Sequence, residues 1–174
     1  KKANSIVQAA KKQFPKSAAV RLFEGDILTS ASKYRDAEQA YSKAIELRPF
    51  DVSIQLKLAT LLMAQSKIEQ AKTLLEEKLK VDPNAPKLLV GYARIRKELG
   101  DVGGGKADYE PARIHYARAL KQDASANDVR LEYIDVLLKI GATKEADAAL
   151  DRVKSEGHLK AAVAYLTARV LAQQ

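Results

Sequence analysis

Three prolines divide the first half of the chain at equal intervals. Pro15, Pro49 and Pro83 follow one another at spacings of 34 residues. The text around them is similar each time: AAKKQFPKS, AIELRPFDV and LKVDPNAPK. A fixed period of this size is typical of repeat proteins, in which each unit buries its apolar face against the next. The period therefore favours a stacked array over one conventional globular core.

Each period has the pattern of amphipathic helices. Ile54, Leu58, Leu61 and Leu62 recur at steps of three and four residues, which places them on one buried face of a helix. Proline cannot continue a helix, so each of the spaced prolines should end the second helix of its unit. Hydrophobic residues make up 47% of the chain and charged residues 30%, which suits a folded helical protein.

The first full period, residues 18–51, resembles the tetratricopeptide repeat (TPR). Its text is AAVRLFEGDILTSASKYRDAEQAYSKAIELRPFD, and the matching residues are Gly25, Ala37, Tyr41, Ala44 and Pro49. The Trp that the family usually carries at the fourth position is missing. The resemblance implies an all-α fold, a right-handed α-α superhelix (TPR solenoid) built from antiparallel helix pairs, A and B. It comprises about four full repeats plus a partial repeat at each end.

The repeat register divides the whole chain as one solenoid fragment. The segments are helix B of a partial repeat (1–17), repeat 1 (18–51), repeat 2 (52–85), repeat 3 (86–126), repeat 4 (127–160) and helix A of a further repeat (161–174). Because both ends fall inside a repeat, we expect this sequence to be a section of a longer array.

The segment ELGDVGGGKADYEPARIHYARAL contains G-x-x-x-x-G-K, the body of a nucleotide-binding P-loop. A P-loop needs a preceding strand and a Ser or Thr after the lysine, whereas here a helix precedes and Ala107 follows Lys106. Deleting residues 102–108 restores the repeat register. We therefore interpret 102–108 as a loop inserted between helices A and B, with Asp108 as the N-cap of helix B.

Catalytic and metal-binding chemistry finds little support. Cysteine is absent, and the two histidines, His115 and His158, lack the close spacing of a metal site. Acidic pairs lie on faces rich in Lys and Arg, which is typical of solvated helices. We predict no catalytic residue, no cofactor, no metal and no membrane-spanning segment, and hence no enzyme activity.

The resemblance places a binding groove on the successive A helices. Carried over residue by residue, the candidate partner-binding positions are Leu22, Phe23, Asp26, Lys57, Thr60, Lys87, Arg94, Lys97, Glu132, Asp135, Tyr165 and Arg169. The groove should be apolar near Leu22 and Phe23, basic from Lys57 to Lys97, and acidic around Glu132 and Asp135. The leucines could equally pack between adjacent A helices.

Some family members grip a C-terminal carboxylate with a clamp of Lys, Asn and Arg. The corresponding residues here are Leu22, Asp26, Lys57, Lys87 and Gly91, of which only Lys87 matches. That mode of binding is therefore disfavoured.

The predicted function is a noncatalytic scaffold, part of a larger TPR protein, that binds a peptide or protein. Its composition resembles bacterial arrays of exopolysaccharide (cellulose-type) export, which favours polysaccharide-export partners and the periplasm, with the cytoplasm as alternative. The net charge of +8 leaves a second hypothesis, a binder of nucleic acid or another acidic polymer. The acidic fourth repeat argues against that hypothesis, so no nucleic acid is expected.

Overall fold

The computed structural model describes residues 2–103, 105–154 and 160–172. Within them the structure is α-helical and contains no strand. The helices are α1 (Lys2–Gln13), α2 (Ala18–Ser30), α3 (Tyr34–Leu47), α4 (Val52–Ala64), α5 (Ile68–Val81), α6 (Pro86–Gly103), α7 (Lys106–Gln122), α8 (Asn127–Ile140), α9 (Thr143–Lys154) and α10 (Lys160–Leu171). The predicted all-α fold is confirmed over these residues.

Local sequence determines where the helices begin and end. Helices α1, α3 and α5 each end two residues before one of the spaced prolines. Ser17 caps α2 by accepting a hydrogen bond from the Val20 N–H at 3.4 Å, and Asp51 caps α4 through the Ser53 N–H at 3.0 Å. Gly141 ends α8 in the left-handed conformation, with φ of 82°.

The chain divides into two compact units, Lys1–Glu77 and Lys78–Gln174. In the first unit, α2 packs closely against α3 because Gly25 has no side chain: a Cβ there would lie 2.4 Å from a ring carbon of Tyr41. Ala18, Ala44 and Ile54 form a buried cluster that joins α2, α3 and α4.

The second unit is held by small and large residues that alternate across helix contacts. Ala93, Ala112 and Ala146 are fully buried and let α6, α7 and α9 approach their neighbours, while Tyr116 and Leu137 fill the remaining space. All five belong to one continuous hydrophobic core that extends from α6 to α10.

The predicted loop at 102–108 is wrong in extent. Helix α6 continues to Gly103 and α7 already begins at Lys106, so Gly105 is the one described residue between them; Gly104 lies outside the described residues. Seven residues equal about two helical turns. The insertion is therefore absorbed as about one further turn on each helix, which keeps the buried faces in register.

Two details of the glycine-rich segment follow from this extension. Gly105, and not Asp108, is the N-cap of α7, and Asp108 instead lies in the first turn, 2.9 Å from the Arg96 guanidinium. Gly100 lies inside α6, where a Cβ would come within 2.7 Å of the Tyr109 ring. The glycine of the apparent P-loop therefore provides close contact between α6 and α7.

Candidate functional site

Helices α6 and α8 are joined by a bidentate ion pair at two of the predicted groove positions. Arg94 donates to both carboxylate oxygens of Glu132, with Nη2–Oε1 at 2.6 Å and Nε–Oε2 at 2.8 Å. The buried Tyr116 hydroxyl donates to Glu132 Oε2 at 2.8 Å. Burial raises the pKa of Glu132, but these hydrogen bonds outweigh it and hold the pKa below its usual value.

A second set of ion pairs extends this arrangement to α10. Asp135 on α8 accepts from Lys97 of α6 at 3.2 Å and from Arg169 of α10 at 2.5 Å. Lys97 also lies 3.3 Å from Asp101, which forms a further ion pair with Lys139 of α8. We call the surface formed by Arg94, Lys97, Asp101, Glu132, Asp135, Lys139 and Arg169 the α6–α8–α10 face.

The pKa shifts on this face follow from the same contacts. Burial lowers the pKa of Lys97, but the negative charges of Asp135 and Asp101 outweigh it, so the pKa is raised. Burial raises the pKa of Asp101, yet hydrogen bonds from Lys139 and Tyr109 lower it below the ordinary value. These directions mean that the groups remain charged at neutral pH.

The first unit contains a similar ion pair between two A helices, with the acid on the earlier helix and the base on the later one. Lys57 of α4 lies 2.7 Å from Asp26 of α2, and the Tyr41 hydroxyl donates to the same carboxylate at 2.8 Å. In both units, therefore, a tyrosine from helix B donates to the acid of a pair that joins two A helices. Burial and the Asp26 charge raise the pKa of Tyr41 to about 12, although the Thr29 hydroxyl lowers it.

The other predicted groove residues fall into two groups. Leu22 is half-buried against the cluster of α2, α3 and α4, so it packs in the core as the alternative interpretation allowed. Phe23, Thr60, Lys87 and Tyr165 are exposed, with 51% of Phe23 and 62% of Tyr165 accessible to solvent. The Arg169 guanidinium stacks over the Tyr165 ring at 5.5 Å.

The expected separation of the groove into a basic and an acidic zone is wrong in the second unit. Arg94 and Lys97, assigned to the basic zone, pair with Glu132 and Asp135 of the acidic zone. The reason is geometric: adjacent A helices bring the residues of consecutive repeats within contact distance, and opposite charges then neutralise each other. The face is a mosaic of paired charges.

Comparison with protein families identifies the repeat. Two family models described as tetratricopeptide repeat match residues 3–52 and 28–86. The chain is a tetratricopeptide repeat protein.

Known sequences similar to this TPR chain include a segment of a much larger protein. The mouse Protein RRP5 homolog is 24% identical over 143 residues, which is 81% of this chain but 7% of that protein, and the human homolog is 22% identical over the same length. The chain thus spans a small fraction of the curated relatives that it matches.

Solved TPR structures superimpose on most of the chain. Pseudomonas aeruginosa PilF has a TM-score of 0.77 at 18% identity, covering 97% of this chain and 74% of its own. YrrB, described as a TPR protein with an unusual peptide-binding site, has a TM-score of 0.66 at 15% identity, covering 97% and 92%. At these identities the similarity establishes the fold.

Sequence reasoning missed three residues that contribute to the α6–α8–α10 face. Asp101 was not among the predicted groove residues, although its spacing of four residues from Lys97 is that of a helical ion pair. Tyr109 and Tyr116 also contribute, because their hydroxyl groups donate to Asp101 and Glu132. Across the residues that the structure describes, no helix is long and apolar enough to cross a bilayer, and no group of three metal-ligating side chains forms.

Proposed function

We propose that this TPR chain is a noncatalytic scaffold that binds an extended segment of a protein partner, and that the α6–α8–α10 face is a site of that binding. The TPR fold supports a role in protein interaction. The observation that carries the choice of site is the accessibility of its charges, since 49% of the Arg94 side chain remains exposed although it is paired with Glu132.

Such a face suits exchange of ion pairs. A partner carboxylate can approach the exposed edge of Arg94, and a partner amine can approach Asp135, so each replaces part of an existing contact. Exposed ion pairs are worth only about 0.2–1 kcal/mol each, so this replacement costs little. The exposed Tyr165 ring, stacked under Arg169, adds apolar area of the kind that anchors interfaces.

We further propose that this scaffold acts in bacterial exopolysaccharide export. It is supported by the resemblance in composition described above. Copurification with an export component in a bacterial host would test the placement separately from the question of peptide binding.

A charge-swap experiment tests the site. A random 12-residue peptide library is selected on the immobilised protein, and the best binder is measured by fluorescence anisotropy. We expect the double variant Arg94→Glu/Glu132→Arg to weaken binding about tenfold or more. The swap retains an ion pair of reversed polarity but removes the acceptor of the buried Tyr116 hydroxyl, so Tm should fall while helical content at 25 °C stays that of the wild type.

The matched control is a charge swap on another surface. Glu69 and Lys72 form an i,i+3 pair on α5, with oxygen and nitrogen 2.5 Å apart, so Glu69→Lys/Lys72→Glu makes an equivalent change elsewhere. Its affinity should remain within about twofold of wild type. Equal loss in both double variants, or none in either, would contradict the assignment, as would selective binding of heparin or DNA with a steep salt dependence.

A further inference from the structure

Two pockets lie at the same register in the two units. One, of about 240 Å³, lies among α7, α8 and α9, and the other, of about 500 Å³, among α1, α2 and α3. Every residue that lines the first, except Lys121, has a counterpart that lines the second 109 positions earlier, such as Arg130 for Arg21 and Ala148 for Gln39. That offset is three periods of 34 residues plus the seven inserted residues, so the repeat itself generates the pocket.

In the pocket of the first unit, two of the cations share one carboxylate. Glu24 lies 2.5 Å from Lys11 Nζ and 3.1 Å from Arg21 Nη1. This carboxylate is only 14% exposed. Arg21, the counterpart of Arg130, therefore has an anion from the pocket wall in direct contact.

The pocket of the second unit, which we call the α7–α9 pocket, has Tyr133 at the position of Glu24. The Tyr133 hydroxyl donates to Glu145, and Arg113 Nη1 lies 3.4 Å from the other Glu145 oxygen. The acid at this end of the pocket is therefore already engaged by two donors. Among the residues that the structure describes, Glu145 is the one carboxylate that lines this pocket.

Arg130 shows the consequence of that replacement. Its side chain lines the α7–α9 pocket and the residue is only 4% exposed, yet its guanidinium donates to two uncharged acceptors, Asn127 Oδ1 and the Ala124 carbonyl. The nearby Asp123 carboxylate accepts hydrogen bonds from Ser125. Burying a cation without a carboxylate in direct contact is unfavourable, and an incoming anion would relieve that cost.

The rest of the pocket combines charge with small apolar side chains. Lys121 of α7 and Arg152 of α9 add positive charge beside Arg130. Ala117 and Ala148, on α7 and α9, contribute short apolar side chains that leave space between these helices. A ligand that fits must present a negative group next to a small or medium apolar group.

We propose that the α7–α9 pocket binds a short acidic segment of a protein partner, with a carboxylate at Arg130 and Lys121 and an adjacent apolar side chain against the alanines. This binding site is separate from the α6–α8–α10 face and does not depend on it. In the pocket of the first unit Glu24 provides the carboxylate, whereas in the α7–α9 pocket the partner provides it.

The test uses a fluorescein-labelled peptide, Leu-Glu-Ala-Glu-Leu, and its Gln-for-Glu analogue, in anisotropy titrations with the full chain. We expect the acidic peptide to bind and the Gln analogue to bind at least about tenfold more weakly. Ala148→Trp should fill the pocket and Lys121→Glu should replace one of its cations by an anion, each with about a tenfold loss of affinity. Both positions are exposed, so neither change enters the core.

The controls place the same changes elsewhere. Gln39→Trp fills the pocket of the first unit, and Lys80→Glu alters the charge of an exposed position by the same amount as Lys121→Glu, so both variants should bind the acidic peptide as wild type does. Failure of the acidic peptide to bind, equal binding of the Gln analogue, or unchanged affinity in Ala148→Trp would overturn the proposal. Displacement by millimolar inorganic phosphate but not acetate would assign the pocket to phosphate and overturn it equally.

The two proposals can fail separately. The Arg94→Glu/Glu132→Arg variant should bind the acidic peptide normally, because those residues are not part of the α7–α9 pocket. Loss of binding in that variant would place the acidic peptide on the α6–α8–α10 face instead.

Discussion

Replacement of Gly100 by Ala tests why the glycine-rich segment contains a glycine inside a helix. An added Cβ would lie 2.7 Å, 2.8 Å and 2.9 Å from three carbons of the Tyr109 ring, closer than carbon atoms approach in folded proteins. Overpacking of this kind costs about 1–3 kcal/mol. The better helix propensity of Ala returns about 1 kcal/mol.

Displacement of the ring adds a second cost. The Tyr109 hydroxyl donates to Asp101 at 2.7 Å, and Asp101 is also bound by Lys139 and Lys97. A hydrogen bond to a charged group contributes about 1.5–3 kcal/mol. Partial loss of it brings the expected decrease in the free energy of unfolding to about 2 kcal/mol.

The assay is urea unfolding followed by circular dichroism at 222 nm. Gly103→Ala, three residues later in α6, is the matched control, because no atom lies within 4 Å of its added Cβ. That variant should be as stable as wild type or more stable by up to about 1 kcal/mol. In a Tyr109→Ala background, Gly100→Ala should no longer destabilise, since the ring that it would strike is gone. If Gly100→Ala alone matched Gly103→Ala in stability, the packing argument would be refuted.

Two further outcomes follow from the ion pairs on α8. The lowered pKa of Glu132 stabilises the folded state above the unfolded pKa of about 4.3, and this contribution is lost as the pH falls through the folded pKa. Glu132→Gln should therefore flatten the decrease in unfolding free energy from about pH 5 to pH 2. An unchanged acid profile would contradict this. Tyr116→Phe removes a buried hydroxyl 2.8 Å from Glu132 and should lower the free energy of urea unfolding by about 1–2 kcal/mol. The control Tyr34→Phe, at a half-exposed ring, should change it by almost nothing, and equal losses in the two variants would refute this role of the Tyr116 hydroxyl.

The repeat could be recognised from sequence because its physical requirements are local. Spaced prolines end helices wherever they occur, and small residues such as Ala37 and Ala146 recur where helices must approach closely. These signals depend on short segments of the chain. Fold class was therefore accessible without coordinates.

The insertion was harder to interpret because glycine favours loops on average. The repeat register indicated a loop at 102–108, but Lys97 and Asp101 form a helical ion pair and Asp108 pairs with Arg96. These contacts, together with Tyr109, offset the low helix propensity of glycine. At this junction, contacts between α6 and α7 accompany the extension of both helices.

The candidate sites required coordinates for a different reason. Groove positions could be assigned by register, but the partner that each charge selects depends on side chains from the next repeat. The α7–α9 pocket depends on Arg130, Tyr133 and Glu145, which are separated in sequence and meet only when α8 packs between α7 and α9. No single motif encodes that combination.

Because the charges of the α6–α8–α10 face are already paired, the net charge of the chain does not predict which ligands this face binds. The chain has a net charge of +8, but four basic and three acidic side chains of this face are already joined in pairs. A ligand docking here exchanges one set of contacts for another, and dissolved ions screen both sets alike. Adding salt should therefore alter its affinity only slightly, so discrimination among ligands would depend on the positions of their charges and not on the total.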